Sequence, residues 1–412
     1  MPAIPLSGAL LPLSTPTIAS GKGLNRGGEF RAPFAWSSDG TWLGFIRRGD
    51  LWVLNVRSGE EQRLVPAESY AWGGTASSLV VRPVPTYPPT PTPTPLPPTV
   101  VESPSVLVLD PHDPAVIFAG TASGVVRKAG AGGWFLSNVG IGYPTRVHAL
   151  AFDPVDSNVI YAGTDGQRAV AGALYKSTDG GNRWAATSLK DVDIYVIAIA
   201  VDQRQLKTLY VGTSKGVYSS SDGGASWAPR NNGLKTTTAL ALAVDPSAAG
   251  TARGTATAAA ADSTLYLGTR QGEVYKTTNG GAEWRLVQTL NAPVTGLVTY
   301  VRRPVTIFAT TEDGLFSSAD SGETWNQVSG GIWKVRLDGL VLSPKESTVY
   351  AYGAPGVFVS HDSGANWGPA ATGLEGTQPS ALVSHPSDPS ILYVGTDKGV
   401  YRTSNGGVIW TR

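Results

Sequence analysis

From about residue 105 to residue 412 the chain alternates apolar and polar positions in runs of three to seven residues, divided by Gly, Asp, Asn and Ser. A period of two places every second side chain on the same face, which is the pattern of a half-buried strand. Within one such stretch, Val196 to Asp202, Thr208 to Thr213, Gly216 to Ser220 and Ser226 to Pro229 read as four strands. No intervening segment has a helical period long enough for the crossover that parallel strands require. The expected unit is therefore four short antiparallel strands.

That unit recurs. The phrase Ser/Thr-x-Asp/Asn-x-Gly-x-x-Trp occurs six times, as Ser177 to Trp184, Ser220 to Trp227, Thr277 to Trp284, Ser318 to Trp325, Ser360 to Trp367 and Thr403 to Trp410, with Trp-to-Trp spacings of 43, 57, 41, 42 and 43 residues. Upstream of each Trp, usually by 17 residues, an aromatic opens a short strand: Tyr161, Tyr210, Tyr266, Phe308, Tyr350 and Tyr393. A degenerate copy lies further upstream, with Phe118-Ala-Gly-Thr and a shortened box from Lys128 to Trp134 that lacks its Asp. Seven four-stranded units at about this period predict an all-β, seven-bladed β-propeller with a small N-terminal β unit.

The rest of the chain divides by composition. Residues 1–28 are irregular, and residues 29–82 form a separate β unit containing Phe34-Ala-Trp-Ser-Ser-Asp-Gly-Thr-Trp and Gly49-Asp-Leu-Trp-Val. Residues 83–104 are a Pro/Thr-rich linker expected to be an extended polyproline spacer. Residues 105–412 are the propeller. The single 57-residue spacing comes from a Ser/Ala/Gly/Thr-rich run between Pro246 and Ser263, read as a surface excursion.

Composition narrows the chemistry. Lys+Arg at 32 against Asp+Glu at 31 leaves a net charge of +1, so no global field recruits nucleic acid or an anionic membrane. Cys is absent, which excludes disulfides and thiolate sites, and the four His have no metal-ligand spacing. No cofactor or metal is expected. No run approaches 18 apolar residues, so no membrane insertion is expected, and Met1 to Ser20 lacks the basic start of a signal peptide.

Each box residue has a role in a tight turn. Asp179, Asp222, Asp320 and Asp362 can accept backbone N–H groups across the turn, as can Asn279 and Asn405. Gly181, Gly224, Gly281, Gly322, Gly364 and Gly407 permit positive φ. The hydroxyls of Ser177, Ser220, Thr277, Ser318, Ser360 and Thr403 close the network, and Trp184, Trp227, Trp284, Trp325, Trp367 and Trp410 lay an apolar face beneath it. Six equivalent copies around a ring do not make one active site, and Asn cannot act as a general acid or base. The boxes are therefore read as structural.

These boxes resemble those of the Asp-box or BNR-repeat proteins, which include sialidases, xyloglucan-active glycosidases, the sortilin ectodomain and photosystem II assembly factors. The resemblance covers residues 105–412. It implies boxes on the hairpin between the third and fourth strands, away from the ligand face. Asp110-Pro111, Asp153-Pro154 and Asp245-Pro246 are most similar to the xyloglucanase and sortilin branch. Residues 34–65 separately resemble a TolB-type blade.

Two family chemistries follow from the resemblance. Sialidases carry an Arg triad and an Arg-Ile-Pro sequence, and the nearest match, Phe30-Arg31-Ala32-Pro33, lies outside the ring. Xyloglucan hydrolases use two carboxylates facing each other between tandem propellers. Asp165 and Asp397, in turns after the second strand, are the candidates, although Ser214 and Arg270 fill the same place in other repeats. The expected function is a non-catalytic binding or scaffold propeller that recognises a polysaccharide or protein ligand through its blade loops. The alternative is a xyloglucanase-like glycoside hydrolase. Candidate contacts are Tyr143, Arg146, Arg168, Arg230 with Lys235, and Trp333 with Lys334 and Arg336. The seventh blade is expected to need either a strand from Ser77 to Val81 or further chain to complete it. The spacer, scarce Lys and missing Cys suggest a bacterial extracellular or cell-envelope setting.

Overall fold

A computed structural model of the chain describes the strands between 35 and 66 and residues 103–142, 145–165, 174–189, 194–205, 207–246, 263–300, 305–332, 334–344 and 347–412. The chain divides into two compact units, Met1–Thr94 and Pro95–Arg412. In the first, Ala35–Trp36, Trp42–Arg47, Asp50–Asn55 and Glu61–Pro66 form one antiparallel sheet in sequence order. Ser77 to Val81, residues 83–102 of the spacer, and the 247–262 run lie outside the described residues.

The second unit is a seven-bladed β-propeller. Each blade is an antiparallel sheet whose strands lie in sequence order, and no helix occurs among the described residues. The first strands are Val106–Leu109, Val147–Phe152, Val196–Val201, Ala239–Val244, Val294–Tyr300, Gly339–Leu342 and Pro379–Ser384. Each neighbours the next, and the last neighbours the first, so these strands line a closed inner ring. The seventh blade has three strands, and its fourth is represented by one bridge between Arg402 and Thr411. Closure runs through the start of the ring: Ser103 N–H donates to Thr396 O at 3.0 Å, and Ser380 Oγ donates to Pro104 O at 2.8 Å.

The core is not one mass but seven clusters, one at each seam between adjacent blades. Every seam joins the second-strand aromatic of one blade with the Trp of the next. The pairs are Phe118 with Trp184, Tyr161 with Trp227, Tyr210 with Trp284, Tyr266 with Trp325, Phe308 with Trp367 and Tyr350 with Trp410. The seventh is Tyr393 with Trp134, the Trp of the degenerate box. Burying one such ring contributes about 1.5–3 kcal/mol.

The boxes lie between the third and fourth strands and share one hydrogen-bond pattern. In the second blade Ser177 Oγ donates to Asp179 Oδ1 at 2.9 Å, Gly181 N–H donates to Ser177 Oγ at 2.9 Å, and Arg183 N–H donates to Asp179 Oδ1 at 2.8 Å. Thr277 with Asn279 and Thr403 with Asn405 reproduce this with an amide oxygen, at 2.7 Å in both. Two successive residues in each box take φ between 60° and 90°, from Gly180 and Gly181 through to Gly406 and Gly407. This turn seats on the preceding blade: Tyr161, Tyr266 and Tyr350 donate their hydroxyls to Gly223 O, Ser321 O and Gly406 O at 3.0, 2.9 and 3.1 Å.

A second seam contact had no motif in the sequence reading. After the fourth strand, Gly140, Gly233, Gly331 and Gly373 take φ of 98°, 87°, 90° and 92° and lie against the backbone carbonyls of Trp184, Trp284, Trp367 and Trp410 in the next blade. A methyl group at any of the four would collide with that carbonyl, whereas one at Gly130, φ 55°, meets nothing within 4 Å. Gly140→Ala is expected to cost about 2–4 kcal/mol, from backbone strain plus overpacking. Gly130→Ala is expected to cost about 1–2 kcal/mol, from strain alone. Thermal unfolding of the two variants checks this, and equal losses would remove the seam contact as a source of stability.

The box carboxylates make the ring sensitive to acid. Hydrogen bonds from Ser226 and Thr324 hold Asp222 and Asp320 down at about 2, and those from Asn366 do the same for Asp362. A depressed folded pKa gives stabilisation that is complete above the unfolded value of about 3.9 and is lost as pH falls through the folded value. Asn accepts the same backbone bond and does not titrate. The triple variant Asp222→Asn/Asp320→Asn/Asp362→Asn should therefore lose fewer degrees of unfolding midpoint than the native chain on going from mildly to strongly acidic buffer. Parallel loss in both proteins would exclude the boxes as the acid-labile element.

Candidate functional site

The box side of the ring is occupied by its own bracing, so candidate ligand contacts are sought in the turns between second and third strands and in the connections between blades. Four of these turns share one clamp: Thr121, Thr213, Thr311 and Thr396 Oγ1 donate to Gly124, Gly216, Gly314 and Gly399 O at 2.7–2.9 Å. In the second blade Thr164 is followed by Asp165, beyond which residues 166–173 are not described.

Asp165 is held by its backbone. Its N–H donates to Arg146 O at 3.3 Å, and it forms an antiparallel bridge with Tyr195 at the entry to the third blade. Its carboxylate Oδ1 is buried and has no hydrogen-bond partner among the described residues. Tyr195 N–H donates to Ser214 Oγ at 3.1 Å, which fixes its backbone, while the residue is 47% exposed. The Arg146 side chain is exposed too.

His148 completes the group. A β-bulge recurs in the first strand of five blades, leaving His148, Ile197, Leu240, Thr295 and Ser380 without a partner in the ladder. Bulges re-aim side chains, and they concentrate beside functional sites. Thr295 and Ser380 use the position to donate across the seam, to Leu337 O at 2.7 Å and Pro104 O at 2.8 Å. The second blade carries an imidazole there instead. Burial pushes its pKa down, the Asp165 charge partly restores it, and the Arg146 charge lowers it further. The group therefore combines a carboxylate with one buried, unpartnered oxygen, an exposed tyrosine, an exposed arginine and an imidazole that favours its neutral form.

The other sequence candidates are placed elsewhere. Asp397 Oδ1 accepts Gln378 N–H at 2.7 Å, so that oxygen closes its own turn, and the first blade intervenes between Asp397 and Asp165 in the ring. Arg336 is paired with Asp338 at 3.3 Å and Glu312 at 3.8 Å. Arg230 lies at a seam, its Nε on Ser219 Oγ at 2.9 Å and its carbonyl accepting Trp284 Nε1 at 2.8 Å. Lys235 N–H donates to Tyr275 Oη at 3.2 Å. Tyr143, Arg168 and Trp333 lie outside the described residues. Of the named candidates, the structure brings Arg146 and Asp165 together. Tyr195 and His148 were not singled out as site residues, because an aromatic or an imidazole at a strand edge carries no motif. No cluster of three metal-ligating side chains occurs among the described residues.

The fold is shared with several solved propellers. A GH74 xyloglucanase from Xanthomonas campestris superposes with a TM-score of 0.58 at 17% identity, covering 74% of this chain and 52% of that one. YCF48 bound to D1 peptide matches with a TM-score of 0.51 at 12% identity, covering 74% of this chain and 94% of that one. The extracellular domain of a putative hybrid two-component system from B. thetaiotaomicron matches with a TM-score of 0.56 at 17% identity, over 73% and 38% of the two chains. Identities this low establish the fold alone, and the chain spans about half the length of the GH74 enzymes it matches. No family model and no curated protein matches the sequence.

The electrostatics around His148 are testable directly. The Asp165 charge raises its pKa against the lowering effect of burial. In Asp165→Asn the imidazole should titrate at lower pH than in the native protein, which itself titrates below the ordinary value of about 6.5. Histidine ring NMR reads both midpoints, and an upward move in the variant would refute the proximity of the two groups.

Proposed function

We propose that the chain is a non-catalytic binding propeller which meets a polysaccharide or a protein through its inter-strand loops, with Arg146, His148, Asp165 and Tyr195 at the contact. The observation that carries this reading is the buried, unpartnered Oδ1 of Asp165 beside an exposed Tyr195 ring. A buried acceptor without a partner costs about 1–3 kcal/mol. A ligand hydroxyl or N–H group removes that cost, and the phenol face offers a platform for a sugar ring or an apolar side chain. The solved propellers support a ligand of either class: one is named as a xyloglucanase and one is bound to a peptide. An extracellular or cell-envelope setting fits the neighbour that is itself an extracellular domain. The boxes fit an Asp-box repeat lineage, and residues 34–65 fit a TolB-like blade.

The alternative is a glycoside hydrolase in which Asp165 and Asp397 are the paired carboxylates. It is supported by the GH74 neighbours. It requires both carboxyl groups to flank one glycosidic bond within about 5–9.5 Å of each other. The bond from Gln378 N–H to Asp397 and the blade lying between the two residues favour binding over catalysis.

Glycan arrays and peptide arrays, followed by turnover assays on xyloglucan and other β-glucans, separate the readings. Binding without turnover is expected, with Asp165→Asn and Tyr195→Ala each weakening it by roughly 3- to 30-fold and leaving the unfolding midpoint within a few degrees. Turnover that disappears in both Asp165→Asn and Asp397→Asn would establish the hydrolase instead.

A further inference from the structure

Seven repeats allow each position in one blade to be compared with its counterparts in the others. The outer edge of the first blade departs from them at adjacent places. Its fourth strand is Phe135–Leu136, where other blades carry Ala185–Ala186, Ala228–Pro229, Arg285 with Leu286, Asn326–Gln327 and Gly368–Pro369. Val139 stands before the seam glycine Gly140, where other blades carry Asn232, Gly330 and Thr372. Positions that are mostly small or polar elsewhere are thus large and apolar here, and they are solvent-facing: Phe135 is 44% exposed, Leu136 47% and Val139 62%.

These side chains, with Arg127 and with Gly181 and Asn182 of the next blade, line a cleft of about 350 Å³. Arg127 pairs in register with Phe135, as Lys176 does with Ala185 and Lys276 with Arg285. Lys176 and Lys276 donate to box carbonyls of the following blade, Gly223 O at 2.7 Å and Ser321 O at 2.8 Å. Arg127 makes no such bond. Its guanidinium sits 5.5 Å above the Phe118 ring, and its Nε is buried without a hydrogen-bond partner among the described residues. No carboxylate pairs with it among the described residues. The cleft therefore combines an apolar wall, a cation lacking an anion, and the edge of a short strand.

We propose that this cleft is a docking site for an extended peptide segment of a partner protein, which lays a large apolar side chain against Phe135, Leu136 and Val139 and sets a carboxylate on Arg127. Charge complementarity selects the carboxylate, and the open strand edge selects an extended backbone that adds alongside it. The site is separate from the group around Asp165, so the two can be occupied together.

The test is selection of a displayed peptide library on the full chain, with counterselection on Phe135→Asn/Leu136→Gln. This variant installs the residues of the fifth blade, Asn326–Gln327, at a position where the same fold already accepts them. Selected peptides should carry Asp or Glu near a large apolar residue. A fluorescein-labelled selected peptide should lose about tenfold or more affinity both for Phe135→Asn/Leu136→Gln and for Arg127→Gln, while binding Tyr195→Ala unchanged. Failure to enrich any peptide over the counterselection overturns the proposal, as does binding indifferent to Arg127→Gln. A chain that sediments as a dimer and becomes monomeric in Phe135→Asn/Leu136→Gln also overturns it, by giving the cleft to a second copy.

Discussion

Backbone hydrogen bonding ends at the edge of each sheet, so a propeller must hold its blades together with side chains. Here that task falls on one contact repeated seven times, the second-strand aromatic of one blade packed with the Trp of the next. The box hydrogen bonds matter because they fix the turn that this aromatic meets. Two left-handed residues in succession turn a carbonyl toward the neighbouring ring, where three tyrosines donate a hydroxyl to it. The two most regular features of the sequence are thus the two halves of a single interface. This also accounts for the survival of Trp134 in a box that has lost its Asp: the turn chemistry is gone, but Tyr393 still requires a partner to close the ring.

A scaffold braced this way has a committed side and an uncommitted one. Box residues are constrained by the neighbouring blade, whereas the turns between second and third strands need only a Thr hydroxyl and a Gly carbonyl to close. Chemistry accumulates where local rules lapse. The cross-seam hydroxyl of Thr295 and Ser380 is replaced by His148 in the second blade, and the following turn carries a carboxylate with an unmet acceptor. On the outer rim, the ammonium that elsewhere reaches a box carbonyl is replaced by Arg127, which leaves a donor free. Loop regions positioned by a rigid scaffold are where function is generally found.

The architecture was legible in the sequence because it depends on local period and on turn residues that recur. Strand limits in the third blade differ by one or two residues from those read from alternation, Ser226 to Pro229 shrinking to Ala228–Pro229 because the first residues of that stretch belong to the box turn. What recurrence could not reveal was which repeats touch. Gly140 and Trp184 are bound through a carbonyl contact between blades, and nothing local to either residue specifies it. The site was legible only in part for a related reason. Asp165 and Arg146 stood out as charges in turns, but Tyr195 joins them through a bridge between blades, and His148 joins them through a bulge that skips one residue of the ladder.

The same geometry bears on the choice between binding and catalysis. Acid–base hydrolysis needs two carboxyl groups whose environments differ and whose separation is set by the sugar ring between them. Radial symmetry works against this, because equivalent turns of a ring diverge around its axis, and only neighbouring turns or an opposing wall can approach that closely. Asp165 and Asp397 are neither neighbours in the ring nor equally available, since one oxygen of Asp397 is committed to Gln378. Among the described residues, Asp165 is joined to Arg146 and Tyr195 through the backbone, and its charge acts on the neutral-favouring imidazole of His148. Such a set offers hydrogen-bonding groups and an aromatic face. A hydrolase built on Asp165 and Asp397 would need the two carboxyl groups brought closer than non-adjacent blades hold them, a demand that a binding site does not make.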